Sequence, residues 1–343
     1  MRFGFWMPVF GGWLRNVEDE GMPATFAYQR ELAQQADRDG WDVTLIAELN
    51  LNDIKGPEAD CLEAWTTAAA LAPLTERLEL MAAVRPNFRL PALVAKEAAT
   101  IDRISNGRFT LNVVSAWWQS ESDQYGGAWV QHDERYARTE EFLAVLKGMW
   151  TKERFSLEGR YYTIKDARLA PKPMQKPWPT LYAGGESPAA KDLIARECDA
   201  YLMHGDPPEA LAAKIDDMRA RRAKHPELPP LRFGVAGYAI VRHSDAEVKK
   251  EVDRITDVRA SARGYASYQD FIKGSQLDTK VSLEDYSVSN RGLRTGLVGT
   301  PEQVTERVRE LERIGIDLLL LQSSPQREEM ARFSSEVFPL VRA

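Results

Sequence analysis

Histidine and cysteine are both scarce in this chain. Only four histidines (His132, His204, His225 and His243) occur in 343 residues. No two of them stand at the spacing that turns a pair toward one metal from a helix face. The two cysteines, Cys61 and Cys198, make neither a disulfide framework nor a metal-ligand pattern. No metal is therefore expected. Long apolar runs are missing too, since nothing approaches the roughly 18 residues that a membrane span requires. The opening residues Arg2 to Val9 read as a strand, with no leader-type cleavage site. Basic excess is absent: the net charge is -6, and the arginines at 219–222 and 307–313 are interleaved with acids on helical patterns, as on solvated faces. A nucleic-acid surface is thereby disfavoured. No Gly-x-Gly-x-x-Gly follows the first strand, and no Gly-x-x-x-x-Gly-Lys-Ser/Thr occurs, so the common dinucleotide and P-loop fingerprints are excluded. What remains is a cytoplasmic protein that handles small molecules.

The hydrophobic fraction of 44% is enough for a sizeable core, and its pattern is informative. Short apolar or β-branched runs alternate with longer amphipathic stretches. Strands are predicted at Phe3–Val9, Val43–Ala47, Leu78–Val84, Phe109–Val114, Thr180–Ala183, Ala200–Met203, Phe233–Val241 and Asp317–Gln322. Helical patterns separate them, and Phe155–Arg168 reads as a small hairpin excursion. Eight strands alternating with helices predict an α/β fold, a single eight-stranded parallel β/α (TIM) barrel over residues 1–343. An open doubly wound sheet is the alternative, though it usually has fewer strands for this length. Three connections exceed the usual length: Phe10–Ala24, Ser115–Asp133 and about Ala260–Leu297. Long barrel loops gather where active sites form, and the third, polar and glycine-containing, suits a mobile lid.

Three short segments carry candidate chemistry. Gly184-Gly185-Glu186-Ser187-Pro188 follows a strand and opens a helix, a place where backbone amides and the helix dipole favour an anion. The same residues also make an ordinary turn with Ser187 as a helix cap. Asn112 interrupts an apolar strand, and an inward amide must find hydrogen-bond partners, with Ser115 and Trp117 close to the strand end. His132-Asp133-Glu134-Arg135-Tyr136 puts a cation in the first turn of a helix, where it opposes the local dipole unless it meets an anion. Read alone, its His-Asp-Glu triplet is also a cap. Cys61 has no histidine near it in sequence and reads more simply as a buried small side chain. Trp13, Trp117, Trp118 and Trp129 fall in long loops, which biases the mouth toward a flat partner.

Together these segments resemble the bacterial-luciferase-like flavin monooxygenase family over essentially the whole chain. The resemblance is carried by Ala99-Thr100-Ile101-Asp102-Arg103-Ile104-Ser105-Asn106-Gly107-Arg108-Phe109, Asn112-Val113-Val114-Ser115-Ala116-Trp117, His132 to Tyr136, the proline-rich Pro171–Pro179, Gly184 to Ser187, and Leu297-Val298-Gly299-Thr300-Pro301. It is nearest to the two-component group, the alkanesulfonate, dimethyl sulfone and pyrimidine monooxygenases and riboflavin lyase. The resemblance implies FMNH2 delivered by a separate NAD(P)H:flavin reductase, reaction with O2 to a flavin peroxide, and a homo-oligomer. It implies that Glu48, Asn112 and Glu121 lie against the flavin ring and that Arg135, Tyr136, Gly184, Gly185 and Ser187 hold its phosphate. Asn112 and Ser115 are the implied catalytic hydrogen-bonding groups. Trp13, Cys61, Trp117, Tyr238 and Arg291 are the candidate substrate contacts.

The chain departs from the alkanesulfonate monooxygenases on the substrate side. Their arginine and histidine on the strand matching Phe233–Val241 correspond to Ala236 and Tyr238, and a later tyrosine and histidine to Ser324 and Gln326. Their Cys-x-acid-x-Trp stretch is kept as Cys61, Glu63 and Trp65. Arg85, Arg89, Arg291 and Arg294 are the remaining cations for an anionic substrate. The depleted sulfonate clamp and aromatic loops lean toward a flat heteroaromatic of riboflavin, pyridine or pyrimidine type. The alternatives are C–S cleavage of a small sulfone or alkanesulfonate, a deazaflavin-dependent hydride-transfer enzyme, and a non-catalytic flavin-binding protein.

Overall fold

The computed structural model describes residues 1–115, 118–127, 132–257, 282 and 287–342, with the side chains of 132 and 133 left aside. Its strands are β1 (Arg2–Trp6), β2 (Val43–Ile46), β3 (Glu79–Val84), β4 (Phe109–Val113), β5 (Phe155–Glu158), β6 (Thr163–Ala167), β7 (Leu181–Gly184), β8 (Ala200–Met203), β9 (Arg232–Tyr238), β10 (Ile240–Val241), β11 (Val298–Gly299) and β12 (Leu318–Gln322). Eight of them close a parallel barrel in the order β1-β12-β9-β8-β7-β4-β3-β2. The predicted TIM barrel is therefore present, and the hairpin expected over 155–168 is the antiparallel β5–β6 pair.

The barrel closes because its strands are mostly apolar on both faces. Along β12, Leu318 and Leu320 join an interior cluster with Val43, Leu45, Met81, Tyr182 and Ala200. Leu319 and Leu321 instead pack outward with Phe3, Phe5 and Val235 in the main core under the helices. The N-terminal end of the interior is closed by polar contacts, with Arg2 paired to Glu79 at 2.9 Å and Thr110 donating to Glu79 at 3.1 Å. The other end, where the strands point, is the one left for chemistry.

The surrounding helices begin with α1 (Phe26–Asp39), α2 (Ala64–Leu71), α3 (Pro91–Ile104), α4 (Gln119–Tyr125), α5 (His132–Thr151), α6 (Pro188–Glu197), α7 (Pro208–Arg222) and α8 (Asp245–Thr256). The segment Pro301–Arg313 starts with a full Thr300/Gln303 capping box. Two of the resembling motifs turn out to be one structural joint. Asp102, at the end of α3, accepts hydrogen bonds from the Met174 amide (2.7 Å), the Gln175 amide (3.1 Å) and the Gln175 side chain (2.6 Å). It thereby anchors the proline-rich lead-in to β7.

Two boundaries differ from the sequence expectation. The long connection after β4 is not irregular throughout, since α4 forms inside it and ends on Gly126 in the left-handed conformation. The run Phe233–Val241 breaks after Tyr238, and Ile240–Val241 leaves the barrel to pair with Val298–Gly299. Most of the expected lid, about 260–297, lies outside the described residues, as do Trp117 and Trp129. Its last part, Ser289–Thr295, is a tight turn in which Asn290 and Arg291 both have positive φ.

Candidate active site

On one side of the mouth, β4, β7 and α5 converge. Ser115, just past β4, lies 3.3 Å from the Thr139 hydroxyl, which in turn donates to the Arg135 carbonyl at 2.8 Å. This contact seats the first turn of α5 against the strand end. Arg135 is half-buried, and burial lowers its pKa from the ordinary value, partly offset by Tyr136. Across from it, a Cβ added to Gly185 would sit 2.6 Å from the Ala190 Cβ and 3.4 Å from the Tyr136 hydroxyl. Only a glycine permits that approach. Tyr201 donates to the Gly185 carbonyl at 2.9 Å, and Ser187 caps α6 by accepting from the Ala190 amide at 3.3 Å. Tyr136, next to Arg135, and the Gly184–Ser187 turn, some fifty residues away in sequence, thus share one surface at a helix N-terminus, a setting that suits an anion.

Asn112 lies beside this surface. It is buried, and its Oδ1 has no hydrogen-bond partner among the described residues. Its register neighbours are Ala83 on β3 and Tyr182 on β7, the latter in the interior cluster, so its amide faces the barrel axis. Around it the last interior positions are short: Ala83, Gly184 and Ala236.

Glu48 and Glu121 occupy a buried charge network. Arg85 grips Glu121 with both terminal nitrogens, one contact being 2.7 Å, and its backbone amide donates to Glu48 at 2.7 Å. Arg89 ties Glu48 to Glu63, the latter contact being 2.6 Å. Burial raises the pKa of Glu48 against the opposing pull of Arg89 and Arg85. Cys61 is half-buried nearby; burial and the charges of Glu121, Asp60 and Asp53 push its thiol up, away from the thiolate that a nucleophile needs.

A second network lies beneath the Gly184–Ser187 turn. Glu186 is buried and receives Lys214 (2.7 Å) and Arg291, with His204 at 3.7 Å. Asp206 shares the cations, at 2.8 Å from Lys214, 3.2 Å from Arg291 and 3.4 Å from Arg294. Burial opposes the charge of Glu186, yet His204, Lys214 and Arg291 together hold its carboxyl far below the ordinary carboxylate range. Arg291, a candidate substrate contact, is thus buried as a strap from the end of the long insertion to the turn. Close packing enforces it, because a Cβ on Gly205 would lie 2.5 Å from the Arg291 carbonyl.

The opposite side of the mouth is built by β1, β12 and β9. Trp13 is buried, donates its indole N–H to Gln326 at 2.6 Å, and meets Trp6 edge-on with ring centroids 6.4 Å apart. Tyr238 packs with Leu14, Ile240, Ile255 and Val288, and its hydroxyl has no partner among the described residues. Sequence reasoning missed Trp6, Thr139, Lys214, Asp206 and Gln322. Gln322 had a signal, a polar residue ending the run Leu318 to Leu321, the same interruption that singled out Asn112.

The model of the family described as luciferase-like monooxygenase matches residues 1–318. Two curated relatives, FMNH2-dependent dimethylsulfone monooxygenases of Pseudomonas putida and Pseudomonas fluorescens, are 36% and 34% identical. Both alignments cover 100% of this chain, and 95% and 94% of the relatives. This chain belongs to the luciferase-like monooxygenase family. It is an FMNH2-dependent monooxygenase, with reduced FMN and O2 as its reagents. The solved structure of a long-chain alkane monooxygenase, 18% identical, superposes with a TM-score of 0.84 over 100% of this chain and 91% of that one. At that identity it attests the fold. The family's cofactor suits what the residues offer: a glycine cradle at a helix start, an adjacent Arg-Tyr pair, and a buried amide without a partner beside short side chains.

Proposed function

We propose that this monooxygenase cleaves the C–S bond of a small neutral sulfone of the dimethyl sulfone type. The observation that carries the reading is the state of the four arginines available to an anionic substrate. Arg85 is held by Glu121, Arg89 by Glu48 and Glu63, and Arg291 and Arg294 by Asp206, with Glu186 also on Arg291. A sulfonate would have to enter without a cation of its own, at a heavy desolvation cost. A sulfone carries no charge and needs only hydrogen-bond donors and apolar walls. The names of the 36% and 34% identical relatives support the same substrate class. The flat heteroaromatic has less support: Trp13, one of the loop tryptophans behind it, is buried and held by Gln326, and Trp117 and Trp129 lie outside the described residues.

In this reading Gly184, Gly185, Ser187, Arg135 and Tyr136 hold the FMN phosphate, while Asn112 meets the ring and Ser115 supports the α5 contact beside it. Bound reduced FMN supplies the two electrons that split O2, one atom entering the substrate and the other leaving as water. For dimethyl sulfone, the balanced products are methanesulfinate, formaldehyde, FMN and water. A separate NAD(P)H:flavin reductase supplies the FMNH2. The protein's part is to orient the reactants and keep water out.

The test combines the purified enzyme with a flavin reductase, NADH, FMN and O2, and offers dimethyl sulfone, methanesulfonate and a pyridine or pyrimidine in parallel. Stoichiometric formaldehyde and methanesulfinate from the sulfone are expected. Sulfite from methanesulfonate as the main product, or turnover of the heterocycle alone, would overturn the proposal.

A further inference from the structure

We propose that Gln322 and Trp6 form the subsite that receives the sulfonyl oxygens; this rests on the sulfone reading above. Gln322 is 1% exposed, and neither its Oε1 nor its Nε2 has a partner among the described residues. Trp6 likewise has a buried Nε1 without a partner. Leaving such groups without a hydrogen bond is costly to a folded protein, so their coincidence at one place points to a ligand.

Their placement follows from strand register. Gln322 stands two residues beyond Leu320, which belongs to the interior cluster, so it shares the inward face of β12. Parallel pairing runs from Arg2 with Leu318 to Phe5 with Leu321, which makes Trp6 and Gln322 the next neighbours across β1 and β12. Trp6 follows Gly4 on that face, where an added Cβ would run into Val43 and Leu320 of the interior. Around the barrel, β1 and β12 stand opposite β7 and β4, which bear the glycine turn and Asn112. The mouth therefore divides into a cofactor half and a second half where Gln322, Trp6, Tyr238 and Ser324 each bring a buried polar atom without a partner among the described residues.

The chemistry matches a sulfone. Gln322 Nε2–H and Trp6 Nε1–H are two neutral donors on adjacent strands, and the substrate has two sulfonyl oxygens on one sulfur. Neither group brings a charge that would demand a counter-ion. Trp6 is also fixed in advance, by its edge contact with Trp13 and by Gln326, which donates to the Trp6 carbonyl at 3.2 Å. On β9 the register partner of Gln322 is Tyr238, and the inward residue one step before it, opposite Leu320, is the short Ala236.

The test uses the full-length chain carrying Gln322→Met, which removes the amide at similar volume, or Trp6→Phe, which removes the indole N–H and shortens the ring. Each variant is expected to raise KM for dimethyl sulfone roughly five- to tenfold, with kcat and the FMN dissociation constant changed by less than about threefold. Saturation-transfer NMR of dimethyl sulfone with cofactor-free protein should show the same weakening, independently of turnover. The thermal midpoint of Gln322→Met should stay level or rise, because an unpartnered buried group is lost, while Trp6→Phe should lower it by the packing it removes, and the two variants check one another if either fails to fold. If the unaltered enzyme turns over the sulfone and both variants keep its KM within twofold, the subsite assignment falls while the proposed function stands. If the unaltered enzyme gives no sulfone turnover, both fall.

Discussion

Replacing Glu186 by glutamine probes the joint between the glycine turn and the end of the long insertion. The wild-type carboxylate, buried at 6% exposure, neutralises Lys214 at 2.7 Å and Arg291 at contact distance. Breaking a buried ion pair by removing one partner costs about 3–5 kcal/mol. Asp206 still reaches both cations, at 2.8 and 3.2 Å, so Glu186→Gln should lose somewhat less than that, about 2–3 kcal/mol of unfolding free energy at pH 7. The sign of the pH dependence follows from the depressed carboxyl. A folded value below the unfolded one, about 4.3 for glutamate, gives stability that is complete above pH 5 to 6. That stability is lost as pH falls below the unfolded value toward the folded one. The gap between wild type and variant should therefore be level from about pH 6 upward and narrow below about pH 4.3. Urea denaturation at several pH values measures it, and flavin-fluorescence titration should show weaker FMN binding from the loosened turn. A variant within about 0.5 kcal/mol of wild type at pH 7 would refute the view that this network holds the turn.

Two further substitutions separate cofactor contacts from architecture. Asn112→Leu should leave urea stability within about 1 kcal/mol, since its Oδ1 has no partner to lose. Product formed per NADH should drop at least roughly tenfold with hydrogen peroxide released instead, as one lost hydrogen bond at the reacting centre allows; normal coupling would contradict the strand-end assignment. Arg135→Ala should weaken FMN binding by about 1.5–3 kcal/mol, the worth of a charge-assisted bond to a phosphate. Riboflavin, lacking the phosphate, should bind the two proteins equally, and an equal loss for riboflavin would place Arg135 elsewhere.

The barrel was legible because its signals are local. Each strand is a short apolar run bounded by turn residues, each helix a longer amphipathic one, and the strand expected over Asp317–Gln322 forms over Leu318–Gln322. The glycine turn and the Arg135–Tyr136 pair were each readable as anion chemistry, since helix starts and glycine next to serine act through the nearby backbone. Their meeting was implied only by the family resemblance and not by the residues themselves, because it depends on how β4, β7 and α5 pack around a closed sheet. The same holds for the charges. Glu48, Glu121 and Arg291 appear in sequence as groups available to a ligand, and only three-dimensional pairing shows Arg85 gripping Glu121 and Arg291 locked to Glu186. Gln322 makes the contrast plain. Its polarity was visible at the end of an apolar run, while its inward face, its neighbour Trp6 and its lack of a partner come from register and closure, which no stretch of sequence specifies alone.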